Sequence, residues 1–198
     1  ANLYRVWKDE GLKNKITELL DTINNHFING ETGHLHLFFN EEWVEKPDVI
    51  SYGHDIEAAW LLQWCAETIE DSALIDTYKK YAVLMADATF EGVDTDGGLW
   101  YEYDPKEKHL IAEKHWWPQS EFIIGMINAW QLTDDIKYFD SAVANWNFVQ
   151  NYILDKKHGE WIWGVNKDYS AIKKDKAGFW KCPYHNSRAC IELIKRLS

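Results

Sequence analysis

"SYGHDIEAAWLLQWCAETI", residues 51–69, followed closely by "ALIDTYKKYAVLMADATF", residues 73–90, decides the fold. The first segment predicts a helix opened by Gly53 and His54, and the second predicts another helix running back beside it. Working outward, the same pair recurs. "HWWPQSEFIIGMINAWQL" (115–132) predicts a helix from about Pro118, and "DIKYFDSAVANWNFVQNYIL" (135–154) predicts its neighbour. Toward the start, "LKNKITELLDTINNHF" (12–27) carries Leu12, Ile16, Leu19, Leu20 and Ile23 as a helical stripe. Toward the end, "PYHNSRACIELIKRL" (183–197) is a last helix, with Pro183 suited to a first turn because its missing amide would have no partner there.

Short strand-like runs separate these helices: "GHLHLFF" (33–39), which leads into a loop containing Pro47, then "GGLWYEY" (97–103) and "GEWIWGV" (159–165). Gly33, Gly98 and Gly159 open the three strands, and His54, Trp117 and His185 begin the helices that follow. Each unit therefore holds an outer helix, a short strand and an inner helix, a repeat of about 60 to 70 residues of the kind that stacks or closes in a circle. An all-α toroid of helical hairpins with short β-hairpin excursions fits, with the inner-helix N-termini aimed at a common centre. A linear solenoid is the alternative, and it gives functional residues at one helix end little to do. Three hairpins make half of a six-hairpin ring. "ANLYRVW" at residues 1–7 reads as the tail of a helix, so the expectation is a single unit over 1–198 forming the C-terminal half of a longer protein.

Composition narrows the partners. Of 198 residues, 46% are hydrophobic, enough for a packed core. Twelve tryptophans and ten tyrosines exceed what a core needs. Such amphipathic rings suit stacking on sugar faces, although any single one is equally at home in a core. A formal charge of −11 without a basic stretch argues against nucleic acid or an anionic membrane as partner. Three cysteines, Cys65, Cys182 and Cys190, lack zinc-ligand spacing and read as free thiols of a reducing compartment. With no apolar run of membrane-spanning length, a cytoplasmic location is expected.

The chemistry concentrates at the helix starts. His54 and Glu57 are three apart and Trp117 and Glu121 four apart, so each pair shares a helix face. Trp180 and His185 flank the last helix start, with Arg188 a turn beyond; His115 precedes its helix as a loop residue. Histidine is the side chain best matched to moving protons near neutral pH, and two of them can take a proton from one face of a substrate and return it to the other. Glu57 and Glu121 as a glycosidase pair are a second reading. A metal held by His34, His36 and His54 is a third, with no Cys, Asp or HExxH completing a set. Phosphate-binding glycine loops and GxSxG elbows are missing from the sequence.

"HLHLFF", "SYGHDIEAAWLL", "HWWPQSE" and "GFWKCPYHNSRACIEL" resemble, in order and spacing, the successive motifs of the cellobiose 2-epimerases within the N-acylglucosamine 2-epimerase superfamily. The resemblance implies an (α/α)6 barrel, of which this chain would supply about three of six hairpins, and inversion at carbon 2 of the reducing-end glucose of β-1,4-linked disaccharides. It implies His54 and His185 as the acid/base pair, with Glu57, Trp60, Trp117, Glu121 and Trp180 lining the sugar site, and no metal or nucleotide cofactor. It also implies that the other half supplies an arginine, a tyrosine and a further histidine, so the expected partner is that complementary half or a second copy closing the ring. An N-acylhexosamine 2-epimerase, an aldose–ketose isomerase and a non-catalytic carbohydrate-binding fragment are the competing readings.

Overall fold

A computed structural model describes residues 1–46 and 49–198; the Pro47 loop position lies outside the described residues. The helices are α1 (Asn2–Val6), α2 (Glu10–Thr22), α3 (Tyr52–Ile69), α4 (Ser72–Thr89), α5 (Trp116–Thr133), α6 (Ile136–Phe148) and α7 (Tyr184–Leu197). α3, α5 and α7 pack successively against one another as an inner layer, and α2, α4 and α6 back them from outside. The core lies between the layers, where Ile56, Met85, Phe122, Met126 and Phe148 are all fully buried. Three helical hairpins side by side are the expected half of an (α/α)6 barrel.

The two layers begin differently. Each outer helix opens on an aspartate whose carboxylate accepts backbone amides of the first turn: Asp9 from Leu12, Asp71 from Ala73 and Leu74, Asp135 from Lys137. Such caps are each worth about 1 kcal/mol. The inner helices α3, α5 and α7 open on Ser51, His115 and Pro183, and among the described residues none of these side chains caps an amide. Pro183 is thus the residue before the helix rather than its first turn, and α5 starts at Trp116, two residues before Pro118.

α3 and α5 each pass to the following outer helix through a left-handed residue, Glu70 (φ 60°) and Asp134 (φ 57°), directly before the capping aspartate. Each outer helix leaves through an irregular turn, at Ile23–Phe27, Phe90–Gly92 and Val149–Ile153. The excursions then turn on Gly33, Gly97 and Gly159, with φ of 80°, 85° and 72°. The second repeat therefore turns on Gly97, not on the Gly98 that the sequence alignment of repeats selected.

Two antiparallel pairs carry the strands. β1 (Glu102–Asp104) pairs with β2 (His109–Ile111) in the register Tyr103↔Leu110, and β3 (Glu113–His115) pairs with β4 (Gly164–Asn166) in the register Lys114↔Val165. β3 runs straight into α5 and so sets where that helix begins. The expected strand at 33–39 is reduced to isolated bridges, Ile28↔Leu35 and Phe39↔Glu45. One cause is local: the Leu35 amide is taken by the Asp55 carboxylate at 2.8 Å, so it is not available to a ladder.

Candidate active site

The inner-helix starts do converge. His54 from α3, Trp117 from α5 and His185 from α7 meet, the Trp117 indole packing 4.8 Å from the His54 ring and 5.6 Å from that of His185 between centroids. The approach depends on Gly53: a Cβ there would sit 2.5 Å from the Trp117 ring. These three residues line a cleft of about 630 Å³ together with Glu57, Tyr101, Glu113, His115, Trp163 and Trp180.

Beneath the cleft lies a charged layer. Glu121, fully buried, accepts the Trp60 indole N–H at 3.0 Å, pairs with His185 Nδ1 at 2.7 Å and accepts from Arg188 at 2.6 Å. The same Arg188 nitrogen reaches Glu57 at 2.7 Å. Because a carboxylate only accepts, its pairing with Nδ1 places the proton there and leaves Nε2 of a neutral His185 as a lone pair, a base. Burial pushes the Glu57 carboxyl up from the ordinary range, the Glu121 charge adds to that, and the Arg188 hydrogen bond opposes it. Burial works against the Arg188 charge, but Glu121 and Glu57 outweigh it and hold the guanidinium above its usual value.

The expected site residues thus fall into two shells. His54, Glu57, Trp117, Trp180 and His185 are on the cleft wall. Trp60 (2% exposed) and Glu121 lie behind it, where they position His185 and Arg188 rather than face the opening. Trp180 is 80% exposed on a turn closed by the Gly178 amide on the Lys181 carbonyl at 2.8 Å. That turn is pinned from below: the buried Lys181 ammonium donates to Glu160 at 3.1 Å and to the Lys176 carbonyl at 2.9 Å.

Ligand-type atoms of Glu57, Glu121 and His185 lie within 4.8 Å of one another, the described group best able to hold a cation. The Arg188 guanidinium already bridges both carboxylates, so the positive charge there is organic. The shared Arg188 and the full burial of Glu121 disfavour a glycosidase pair, whose two carboxylates flank the sugar. The histidines of the "HLH" run go elsewhere: His34 Nδ1 pairs with Asp55 at 2.8 Å and His36 Nδ1 with Glu45 at 2.8 Å. Burial alone would lower the His34 pKa, but the Asp55 hydrogen bond and charge turn the net shift upward.

Sequence reasoning underrated two residues. His115 is buried on the cleft wall, its ring 4.0 Å from that of Tyr101 at a 32° tilt and paired with Glu113 at 2.6 Å; burial depresses its pKa despite that partner. Arg188 ties the three inner helices into one charged layer, and its position three residues after His185 was the signal.

Comparison with known proteins agrees with this geometry. The family model described as N-acylglucosamine 2-epimerase (GlcNAc 2-epimerase) matches residues 2–189. The cellobiose 2-epimerase of Bacteroides fragilis is 41% identical over 195 residues, covering 98% of this chain and 50% of that protein. That of Dictyoglomus turgidum is 32% identical over 100% of this chain and 50% of its own length. The solved cellobiose 2-epimerase of Bacillus thermoamylovorans superimposes with a TM-score of 0.93 at 36% identity, covering 98% of this chain and 50% of that one. The chain spans about half the length of the curated relatives it matches. Among the described residues no helix is long and apolar enough to cross a membrane.

Proposed function

The chain belongs to the N-acylglucosamine 2-epimerase family, and on that premise we propose that it forms half of an enzyme inverting carbon 2 of the reducing-end glucose in β-1,4-linked disaccharides such as cellobiose and lactose. The observation that carries this reading is the pair of imidazoles from separate helices around one indole, one of them backed by a buried carboxylate.

A pyranose has no acidic proton at carbon 2 until the ring opens to an aldehyde. One histidine assists opening and removes the carbon-2 proton, giving a cis-enediolate. Rotation about the bond between carbons 2 and 3 presents the other face, and the second histidine returns a proton there. Glu121 holds His185 in the tautomer that offers Nε2, and Arg188 and Trp60 hold Glu121. Trp117 and Trp180 supply faces for the sugar rings. The exposed Trp180 at the cleft edge, together with the relatives' names, favours a disaccharide over a free N-acylhexosamine or a single aldose.

Exposed apolar side chains on α1 and α7 support a partner half. Ile191, Ile194 and Leu197 of α7 and Leu3 and Val6 of α1 are more than half exposed. A complementary N-terminal half covers them and completes the cleft; a second copy is the other way to close the ring. The mass of the assembled particle separates the two.

The test is turnover by the chain with its complementary half in deuterated water, offered cellobiose, mannose and N-acetylglucosamine. Deuterium at carbon 2 of an epimerised disaccharide is expected. Ketose from mannose as the main product would move the reading to an isomerase. His54→Ala and His185→Ala are each expected to lower turnover by about 10²- to 10⁴-fold. Retention of a tenth of the activity removes that histidine from the mechanism.

A further inference from the structure

Ser51 stands at the N-cap of α3, where a serine hydroxyl ordinarily accepts an amide of the first turn. The outer helices obey that rule through their aspartates. Ser51 does not: among the described residues its hydroxyl caps no amide, and Oγ instead lies 2.8 Å from Nδ1 of His54, three residues on. Only the Ser51 carbonyl enters the helix, accepting the Asp55 amide at 3.0 Å. Ser51 is 1% exposed, so the hydroxyl end of this bond is buried, while His54 itself is exposed toward the cleft. A local rule broken at a functional site, at the expense of a cap, calls for a compensating use.

The partner is chemically distinct from the one His185 has. Glu121 presents a carboxylate, which only accepts and so favours one tautomer of the neutral ring. A hydroxyl donates or accepts. It holds the His54 ring whether Nδ1 carries a proton or a lone pair.

We propose that Ser51 is a positioning residue for His54, its hydroxyl spent on orienting the imidazole toward carbon 2 in either protonation state instead of on capping α3. This rests on the reading of His54 as an acid/base group. Ser51 touches no substrate and acts only through the ring it holds. The two histidines then differ in the group held at Nδ1, a carboxylate for His185 and a hydroxyl for His54.

Ala and Gly at position 51 distinguish positioning from capping, because Gly serves as an N-cap and Ala does not. In the chain assembled with its complementary half, Ser51→Ala and Ser51→Gly are both expected to lower kcat by about 10- to 100-fold with KM for cellobiose within about twofold. A kcat loss in Ser51→Ala that Ser51→Gly restores would assign the hydroxyl to the helix and overturn the proposal. A second readout is independent of turnover: imidazole nitrogen NMR should show the His54 Nδ1 resonance shifted in both variants and that of His185 unchanged. An unmoved His54 resonance overturns the proposal. Full activity in His54→Ala would instead defeat the functional reading itself, and wild-type kcat in both Ser51 variants beside an inactive His54→Ala would defeat only the role of Ser51.

Discussion

The indole N–H of Trp60 meets the carboxylate of Glu121 at 3.0 Å, between side chains 61 residues apart and both buried. This bond joins α3 to α5 behind the cleft, where the Trp60 indole supports the carboxylate that pairs with His185.

Trp60→Phe keeps an aromatic ring, though a smaller one, and removes the donor. It leaves a buried carboxylate oxygen short of one partner, and the expected cost is about 1–3 kcal/mol of stability, read by denaturant unfolding of the assembled protein. KM for disaccharide should stay within about twofold. A large rise in KM with unchanged stability would put the Trp60 ring back on the substrate.

Arg188→Gln takes the cation from between buried Glu121 and half-buried Glu57, and about 3 kcal/mol of stability is expected to go with it near neutral pH. The dependence on pH follows from Glu57, whose folded pKa is already raised by burial and by Glu121. A raised carboxyl contributes stability below its ordinary range and loses it as pH rises through the folded value. Without Arg188 that loss deepens, so the Tm gap between variant and parent should widen from about pH 4 to pH 7. A gap that is flat across that range would mean that Arg188 does not compensate these carboxylates.

Trp180 is the cleft aromatic with least to do in the fold. Trp180→Ala is therefore expected to leave Tm within about 1 °C, since exposed substitutions are usually within ±0.5 kcal/mol. KM for cellobiose should rise by about tenfold, the equivalent of about 1.4 kcal/mol of lost stacking. Steady-state kinetics on a disaccharide and on glucose alone check it, with the larger change on the disaccharide. Equal, small effects on both would leave the tip without a sugar.

Gly53→Ala places a methyl 2.5 Å from the Trp117 ring, with Pro118 at 3.0 Å behind it. The indole has to move, and the His54 and His185 rings packed on it move too. A fall in kcat of about 10- to 100-fold is expected, from misplacement of about an ångström. Unaltered tryptophan fluorescence with unaltered kcat would show that the cleft has slack at this contact.

The helical hairpins were legible because their apolar stripes and turn residues are local, and the repeat spacing then arranged them. His54, Trp117 and His185 were legible for the same reason: each sits at the equivalent start of its unit. What the sequence hid is decided across helices. Trp60 and Glu121 share no local pattern, and only the packing of α3 on α5 puts them behind the wall instead of on it. The strand at 33–39 alternates as a strand should, yet Asp55, twenty residues on, takes the Leu35 amide. Gly97 and Gly98 are adjacent and indistinguishable by composition; only the backbone angle of 85° names Gly97 as the turn.

The missing caps of the inner helices carry a consequence for how the molecule breathes. A helix whose first amides lack side-chain acceptors opens at that end at little free-energy cost, whereas an aspartate-capped end does not. The first turns of α3 and α7 should therefore exchange their amide protons with solvent faster than those of α2, α4 and α6, whereas the first amide of α5 is held by the Trp163 carbonyl at 3.0 Å. Sugar seated in the cleft would close that gap. Protection gained at residues 52–55 and 184–187, and nowhere on the outer ring, would make occupancy visible as a loss of local fraying, without any change in the course of the chain.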